Sequence, residues 1–351
     1  MTFQKYSVQS RALIEENLIN FINKKKNENI PTVFKKQNAL ELLEKFVLRG
    51  KMIRGTLFLL SLEMMGEKIT DEYLDVACSI ELVHSALLIQ DDIIDNDRTR
   101  RGHDTIFVEY EKRGERIHAA NKGHYGISIG IVVADMAIFL AMDLLSHYQG
   151  MFLQKLLEFY AHEIYLVSIA EGIDSELGQS EIEPKKEDIY AVYKYKTARY
   201  TFSLPFVMAG IIAGNQKEAK IFEELGELIG LIFQLKDDVI GLFGDEKTIG
   251  KPVGSDIREN KKTLIRVLLY EHVNQSEKKN LEDAFGNKNI TFSQIENVKT
   301  LVKKYKIIDV INGEIDEIMN RAWRLFKTLE VSQEHKMILK DLMEFNLKRS
   351  F

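Results

Sequence analysis

The chain has 351 residues, 45% of them apolar, and a net charge of −5 with acids and bases both abundant. That composition supports a large buried core and excludes a disordered chain, while the charge balance excludes an electrostatically driven nucleic-acid binder or a polybasic membrane anchor. The lone cysteine, Cys78, allows no internal disulfide and fits a reducing compartment.

The opening stretch MTFQKYSVQSRALIEENLINF carries acids and amides where a secretory signal needs an apolar run, so a cytoplasmic protein is expected. Only four prolines interrupt the chain. Apolar residues at helical spacing predict helices over 7–26, 38–48, 51–66 and 71–97. Next come 122–147, 150–172, 186–198, 200–213, 216–243 and 261–271, then 293–305, 308–328 and 333–348. Strict alternation is nearly absent, so no sheet is expected. GNQKEAK at 214–220 and GNKNITFSQ at 286–294 read as turns, the second leading into a capped helix start. Nothing resembles an interdomain linker, so residues 1–351 are expected to form a single all-α domain, one large bundle of roughly ten or more helices. ISIGIVVADMAIFLAMDLL, 127–145, is apolar enough for a membrane span but holds Asp135 and Asp143. Each would cost about 3 kcal/mol at mid-bilayer, which favours a helix buried in a bundle and no membrane span.

The acids are concentrated where the apolar runs stop. SIELVHSALLIQ ends in Asp91, Asp92 and Asp95, which share one end of a helix. Carboxylates this close repel by roughly 1–4 kcal/mol per pair, so a cation belongs beside them, and oxygen-only donors suit Mg²⁺. A solvated acidic helix end is the plainer alternative. A second copy weighs against it: FQLKDDVIGLFGD ends another apolar helix in Asp237 and Asp238.

Bases accompany the acids. Arg100 and Arg101 follow the first motif, and their fork-shaped guanidinium groups suit phosphate. RGKMIRG supplies Lys51 and Arg54, YKYKTARY supplies Lys196 and Thr197, and GKPVGSDIRENKKT supplies Lys251 and Lys261. GKPVGSD lacks the spacing and preceding strand of a Walker loop. Each base alone is most simply a surface charge. Together, acids for a metal and bases for phosphate around an apolar bundle describe a diphosphate site with an apolar chamber.

With these motifs in order, residues 45–270 resemble the trans-isoprenyl diphosphate synthases, or polyprenyl synthetases. DDIID matches the family's first aspartate-rich motif, RTRRG the arginines after it, and GKMIRG its glycine-lysine-x-x-arginine segment. YKTARYTFSLP and FQLKDDVIGLFGD match the later lysine-threonine and second aspartate-rich motifs, and GKPVGSDIRENKKT the basic lid of short-chain prokaryotic members. The resemblance implies that Asp91, Asp92, Asp95, Asp237 and Asp238 hold Mg²⁺, about three ions, around an allylic prenyl diphosphate. Arg100, Lys196 and Lys251 would touch that diphosphate, with Lys261 in the same basic segment. Lys51, Arg54, His84 and Arg101 would bind isopentenyl diphosphate, while Thr197 and Gln234 would steady the reacting carbons. A homodimer is implied too.

The chain departs from the family pattern at Gly241, Met52, Asp104 and Ile182. Ile182 stands where GQSEIEP should hold an aspartate, so Glu181, Glu183 or neither replaces it. Lys51, Arg54 and Arg101 argue against a terpene cyclase or head-to-head synthase, which need no isopentenyl site. Both aspartate pairs argue against a silent subunit of a heteromeric synthase. One turn of about 5.4 Å is close to one isoprene unit, so residues below Asp91 should gauge product length. Ala86 is too small to block the first turn, and Leu87 and Val83 only narrow the path; Phe139 is expected at the chamber floor. Geranylgeranyl diphosphate (C20) is the expected product, with C25–C30 chains as the alternative.

Overall fold

The computed structural model describes residues 1–29, 31–32, 38–244 and 254–348, and these are helical apart from turns, connections and one short hairpin. The chain divides into two compact units, Met1–Gln154 with Ser332–Ile338, and Lys155–Val331 with Leu339–Phe351.

Polar side chains start the longest helices of the first unit. Thr2 accepts the Lys5 N–H at 3.3 Å to begin α1 (Phe3–Lys26), and Thr70 accepts the Tyr73 N–H at 3.4 Å to begin α4 (Asp71–Ile94). Between them run α2 (Ala39–Leu48) and α3 (Ile53–Met64). After α4 come β1 (Thr99–Arg100) and β2 (His103–Asp104), then α5 (Ile106–Arg116) and α6 (Lys122–Leu145). The sequence predicts neither the hairpin nor α5. The hairpin pairs Thr99 with Asp104 and Arg100 with His103, leaving Arg101 and Gly102 as a two-residue turn with φ of 53° and 75°. Positive φ at both central positions matches the right-handed twist of paired strands. Thr105 closes its base, donating its hydroxyl to the Asp97 carbonyl at 2.9 Å and its N–H to that of Arg98 at 3.1 Å.

Small residues let α6 approach its neighbours. A methyl group at Gly126 would lie 2.4 Å from the Phe107 carbonyl, and one at Gly130 would lie 2.8 Å from Ile93 Cδ1. The other face of α6 corrects the expectation of a fully buried helix. Phe139 is 68% exposed and Val132 54%, so the apolar run is amphipathic by burial rather than by polarity. Its length and hydropathy would allow a membrane crossing, although only 33% of its most apolar window is buried. Phe139 therefore stands on an outer face, not at a chamber floor.

In the second unit α7 (Leu153–Gln179) is followed by α8 (Lys186–Val192), a π-helix (Tyr193–Ser203), α9 (Leu204–Ile212) and α10 (Gln216–Phe243). Residues 186–212 thus run as one rod, where the sequence suggests two helices broken near 199. Gly226 and Gly230 of α10 admit the wider π coil: added methyl groups would lie 2.6 Å from Ser203 N and 2.3 Å from Ala198 Cα. Asn215 begins α10 by accepting the Glu218 N–H at 3.2 Å. The remainder is α11 (Ser255–Arg258), α12 (Leu264–His272), α13 (Gln275–Glu282), α14 (Phe292–Lys304), α15 (Ile307–Thr328) and α16 (Gln333–Lys348). Thr291 and Gln294 form the capping box expected before α14.

Candidate active site

In the first unit the acids and bases meet where α4 ends and the hairpin begins. Arg100 donates from Nε to Asp92 Oδ1 at 2.6 Å and from Nη2 to Asp91 Oδ2 at 2.9 Å. One guanidinium thus orients two of the three aspartates, which answers their mutual repulsion. Asp92 points inward, its side chain only 1% exposed, and its Oδ2 has no hydrogen-bond partner among the described residues. Burial pushes Asp92 up to about 7, against the pull of Arg100. Asp91 and Asp95 stay partly open.

One face of α4 carries this chemistry down the helix. His84, Leu87, Leu88 and Asp91 are partly open, whereas Val83 and Ala86 are buried at 4% and 0% exposure. Of the three expected length-gauging residues, only Leu87 keeps an open surface. Burial, then the charges of Arg54, Arg101 and Arg100, hold His84 well below the ordinary imidazole range, so it is neutral at pH 7. Lys51 is exposed in the turn before α3, where a methyl group at Gly50 would meet the Val47 carbonyl at 2.9 Å and lie in ordinary contact, 3.5 Å, with the Arg101 guanidinium. Met52 is buried at the start of α3, with φ of 49°. Asp104, the other departure in this unit, pairs with Lys112 beside the hairpin.

The second unit has its own cluster, built on the π-helix. Lys196 reaches Asp174 Oδ2 at 2.6 Å and Glu171 Oε1 at 3.0 Å on α7. Thr197 Oγ1 donates to Gln234 Oε1 at 2.9 Å, and Gln234 Nε2 donates to Asp238 Oδ1 at 2.8 Å. The other Asp238 oxygen accepts the Tyr193 hydroxyl, which in turn accepts the Leu264 N–H at 2.8 Å. Asp238 is therefore fully engaged inside the protein, and burial, aided by Asp256, pushes it up to about 8. Asp237 remains partly open. At Gly241 a methyl group would meet Asp256 Oδ2 at 3.2 Å, so a neighbouring acid approaches the position where the second motif lacks its third aspartate. Lys261 lies 3.3 Å from Glu259, and Lys251 lies outside the described residues.

In GQSEIEP the two glutamates considered as replacements have different surroundings. Glu183 accepts Lys262 at 2.8 Å and Arg266 Nε at 3.0 Å, a structural tie for the segment leading into α12. Glu181 is exposed. The carboxylates beside Lys196 are instead Glu171 and Asp174. Sequence reasoning missed them because the predicted helix stops at 172, whereas α7 continues to Gln179. Extended by two residues, the period would have set this acid pair on one face.

Within the described residues no three acid, histidine or cysteine groups converge as a self-sufficient metal site. Mg²⁺ takes few carboxylates and completes its octahedron with water and phosphate oxygens. The donors available are all hard oxygens, and the Asp92 Oδ2 atom, buried without a hydrogen-bond partner among the described residues, is one more oxygen of that kind.

Residues 36–305 match the polyprenyl synthetase family. The chain belongs to that family, and so to the trans-isoprenyl diphosphate synthases. It is 29% identical to a geranylgeranyl diphosphate synthase of Sulfolobus acidocaldarius, over 87% of this chain and 88% of that protein. It is 30% identical to a short chain isoprenyl diphosphate synthase of Methanocaldococcus jannaschii, covering 83% of each. The fold matches a geranylgeranyl pyrophosphate synthase from Corynebacterium glutamicum with a TM-score of 0.90, 24% identity and complete coverage of both chains.

Proposed function

We propose that this chain is a Mg²⁺-dependent prenyltransferase that joins isopentenyl diphosphate head to tail to an allylic diphosphate and extends it to geranylgeranyl diphosphate. The observation that carries the reading is the matched build of the two acidic motifs. Each buries its second aspartate on internal partners, Asp92 on Arg100 and Asp238 on Tyr193 and Gln234, and leaves the first partly open. Asp91, Asp95 and Asp237 are then the metal ligands, with Asp92 and Asp238 holding them in place and Glu171, Asp174 and Asp256 adding negative charge. Bound Mg²⁺, about three ions, would act as Lewis acid toward the leaving diphosphate.

The protein's own groups do the rest. Arg100, Lys196 and Lys251 bind the allylic diphosphate more tightly as charge develops on it, which lowers the barrier to carbon–oxygen cleavage. Lys51, Arg54 and Arg101 hold isopentenyl diphosphate, with neutral His84 beside them. Thr197 and Gln234 steady the reacting carbons, Lys261 adds charge, and apolar side chains keep water from the cation. The released diphosphate takes the final proton.

The test is to incubate the pure protein with isopentenyl diphosphate, C5, C10 or C15 allylic diphosphate, and Mg²⁺, then size the dephosphorylated products. C20 alcohol is the expected result; no extension of any primer would refute the reading. Along α4, Leu87→Ala should lengthen the product, whereas a bulkier residue at the buried Ala86 should act on stability before product length. The apolar face of α6 supports a homodimer, a second copy covering Ile131, Val132 and Phe139. Light scattering should give twice the chain mass, and Phe139→Glu should halve it; protein found in the membrane pellet would speak for insertion instead.

A further inference from the structure

The N-terminus of α3 lacks a local cap. Met52 occupies the cap position and its side chain accepts no hydrogen bond, leaving the first N–H groups of the helix to find a partner elsewhere. The partner comes from α4: Glu81 Oε1 accepts the Gly55 N–H at 2.8 Å. Glu81 is 3% exposed, and a methyl group at Gly55 would meet its Cγ at 3.4 Å, so the two helices touch at this point. Burial pushes the Glu81 carboxyl above the ordinary glutamate range, while the Gly55 N–H and the charges of Arg54 and Arg101 work against that rise and favour its ionised form.

Met52 has a left-handed backbone, unlike the extended conformation of a side-chain cap, so the helix start depends on this buried carboxylate, an expensive partner. The expense is offset only where positive charge gathers, and here it gathers on Arg54 and Arg101. We propose that Glu81 is a positioning residue for the isopentenyl diphosphate side, holding the Lys51–Arg54 turn and the Arg54 and Arg101 guanidinium groups in the arrangement that receives the diphosphate. The proposal rests on the reading that Lys51, Arg54 and Arg101 bind that substrate. Glu81 touches neither substrate nor metal ligand; it acts through the cap and through charge.

Two variants separate its roles. Glu81→Gln keeps the shape and an acceptor oxygen but removes the charge, and Glu81→Asp keeps the charge on a shorter arm. Glu81→Gln should raise KM for isopentenyl diphosphate about tenfold, the scale of one lost charged hydrogen-bond partner, with kcat and the allylic KM within about twofold. Glu81→Asp should recover part of that loss. Lys51→Ala and Arg54→Ala are measured alongside. If they leave the isopentenyl KM unchanged, the substrate assignment fails. If they raise it while Glu81→Gln does not, the role of Glu81 alone is refuted. Equal loss in both KM values and kcat, with no recovery in Glu81→Asp, would make Glu81 a fold residue only. Should Glu81→Gln not fold, the same KM split in Glu81→Asp decides the question.

Discussion

Two aspartates side by side in one motif need not do the same work. Asp91→Asn and Asp237→Asn remove the partly open carboxylates and should each lower turnover by orders of magnitude while shifting the Mg²⁺ requirement upward. Asp238→Asn should act differently, since the amide oxygen can still accept from one of the two donors, Tyr193 or Gln234; turnover should fall less than in Asp237→Asn, at similar Mg²⁺ dependence. Equal Mg²⁺ shifts in the two variants would show that Asp238 is a ligand after all. Glu183 offers a test by pH. Burial works against its charge, but Arg266 and Lys262 hold its carboxyl below the ordinary glutamate range. Its contribution to stability is therefore complete above the unfolded value of about 4.3 and lost as pH falls through the lower folded value. Glu183→Gln should be less stable than the parent at pH 7, and the gap should close under acid denaturation; a gap that widens with acid would contradict the ion pair.

The π-helix shows how an element can hold catalytic groups without a sequence cue. Gly230→Ala would drive a methyl group into Ala198 and shift the segment bearing Lys196 and Thr197. A cost of about 1–3 kcal/mol is expected, read as a lower Tm together with lower turnover. Gly313→Ala on α15, where a methyl group meets nothing, is the control and should leave both unchanged or raise Tm slightly. The long helices were legible because their apolar residues recur at helical spacing, and some start at a polar cap, as with α10 at Asn215. The hairpin was not, because strands of two residues carry no alternation to read. The π winding escaped because a change in hydrogen-bond register leaves residue types untouched. The motif aspartates were legible as a set, but their division into buried and open members depends on Arg100, Tyr193 and Gln234, which only the folded chain brings to them.

At the scale of the molecule, the boundary between the two compact units falls inside continuous helices, α7 at Gln154 and α16 at Ile338. In α7 only the first two residues lie in the first unit, but α16 is divided into 333–338 and 339–348, each shorter than an isolated helix needs in water. We propose that the chain unfolds as one cooperative unit, consistent with a single domain over 1–351. Urea titration followed by helical circular dichroism and by Trp323 fluorescence should give coincident transitions; two separated midpoints would mean independent domains.

The turn at Arg101 sets stability and activity against each other. An L-residue with positive φ costs roughly 1–2 kcal/mol, and asparagine before glycine is the preferred pair for such a turn. Arg101→Asn should therefore raise Tm while weakening isopentenyl diphosphate binding. Any library screened for heat resistance alone would tend to discard the arginine, and one screened for turnover would restore it. Thermostable versions of this enzyme should accordingly be sought at positions such as Gly313, leaving the turn in its strained form.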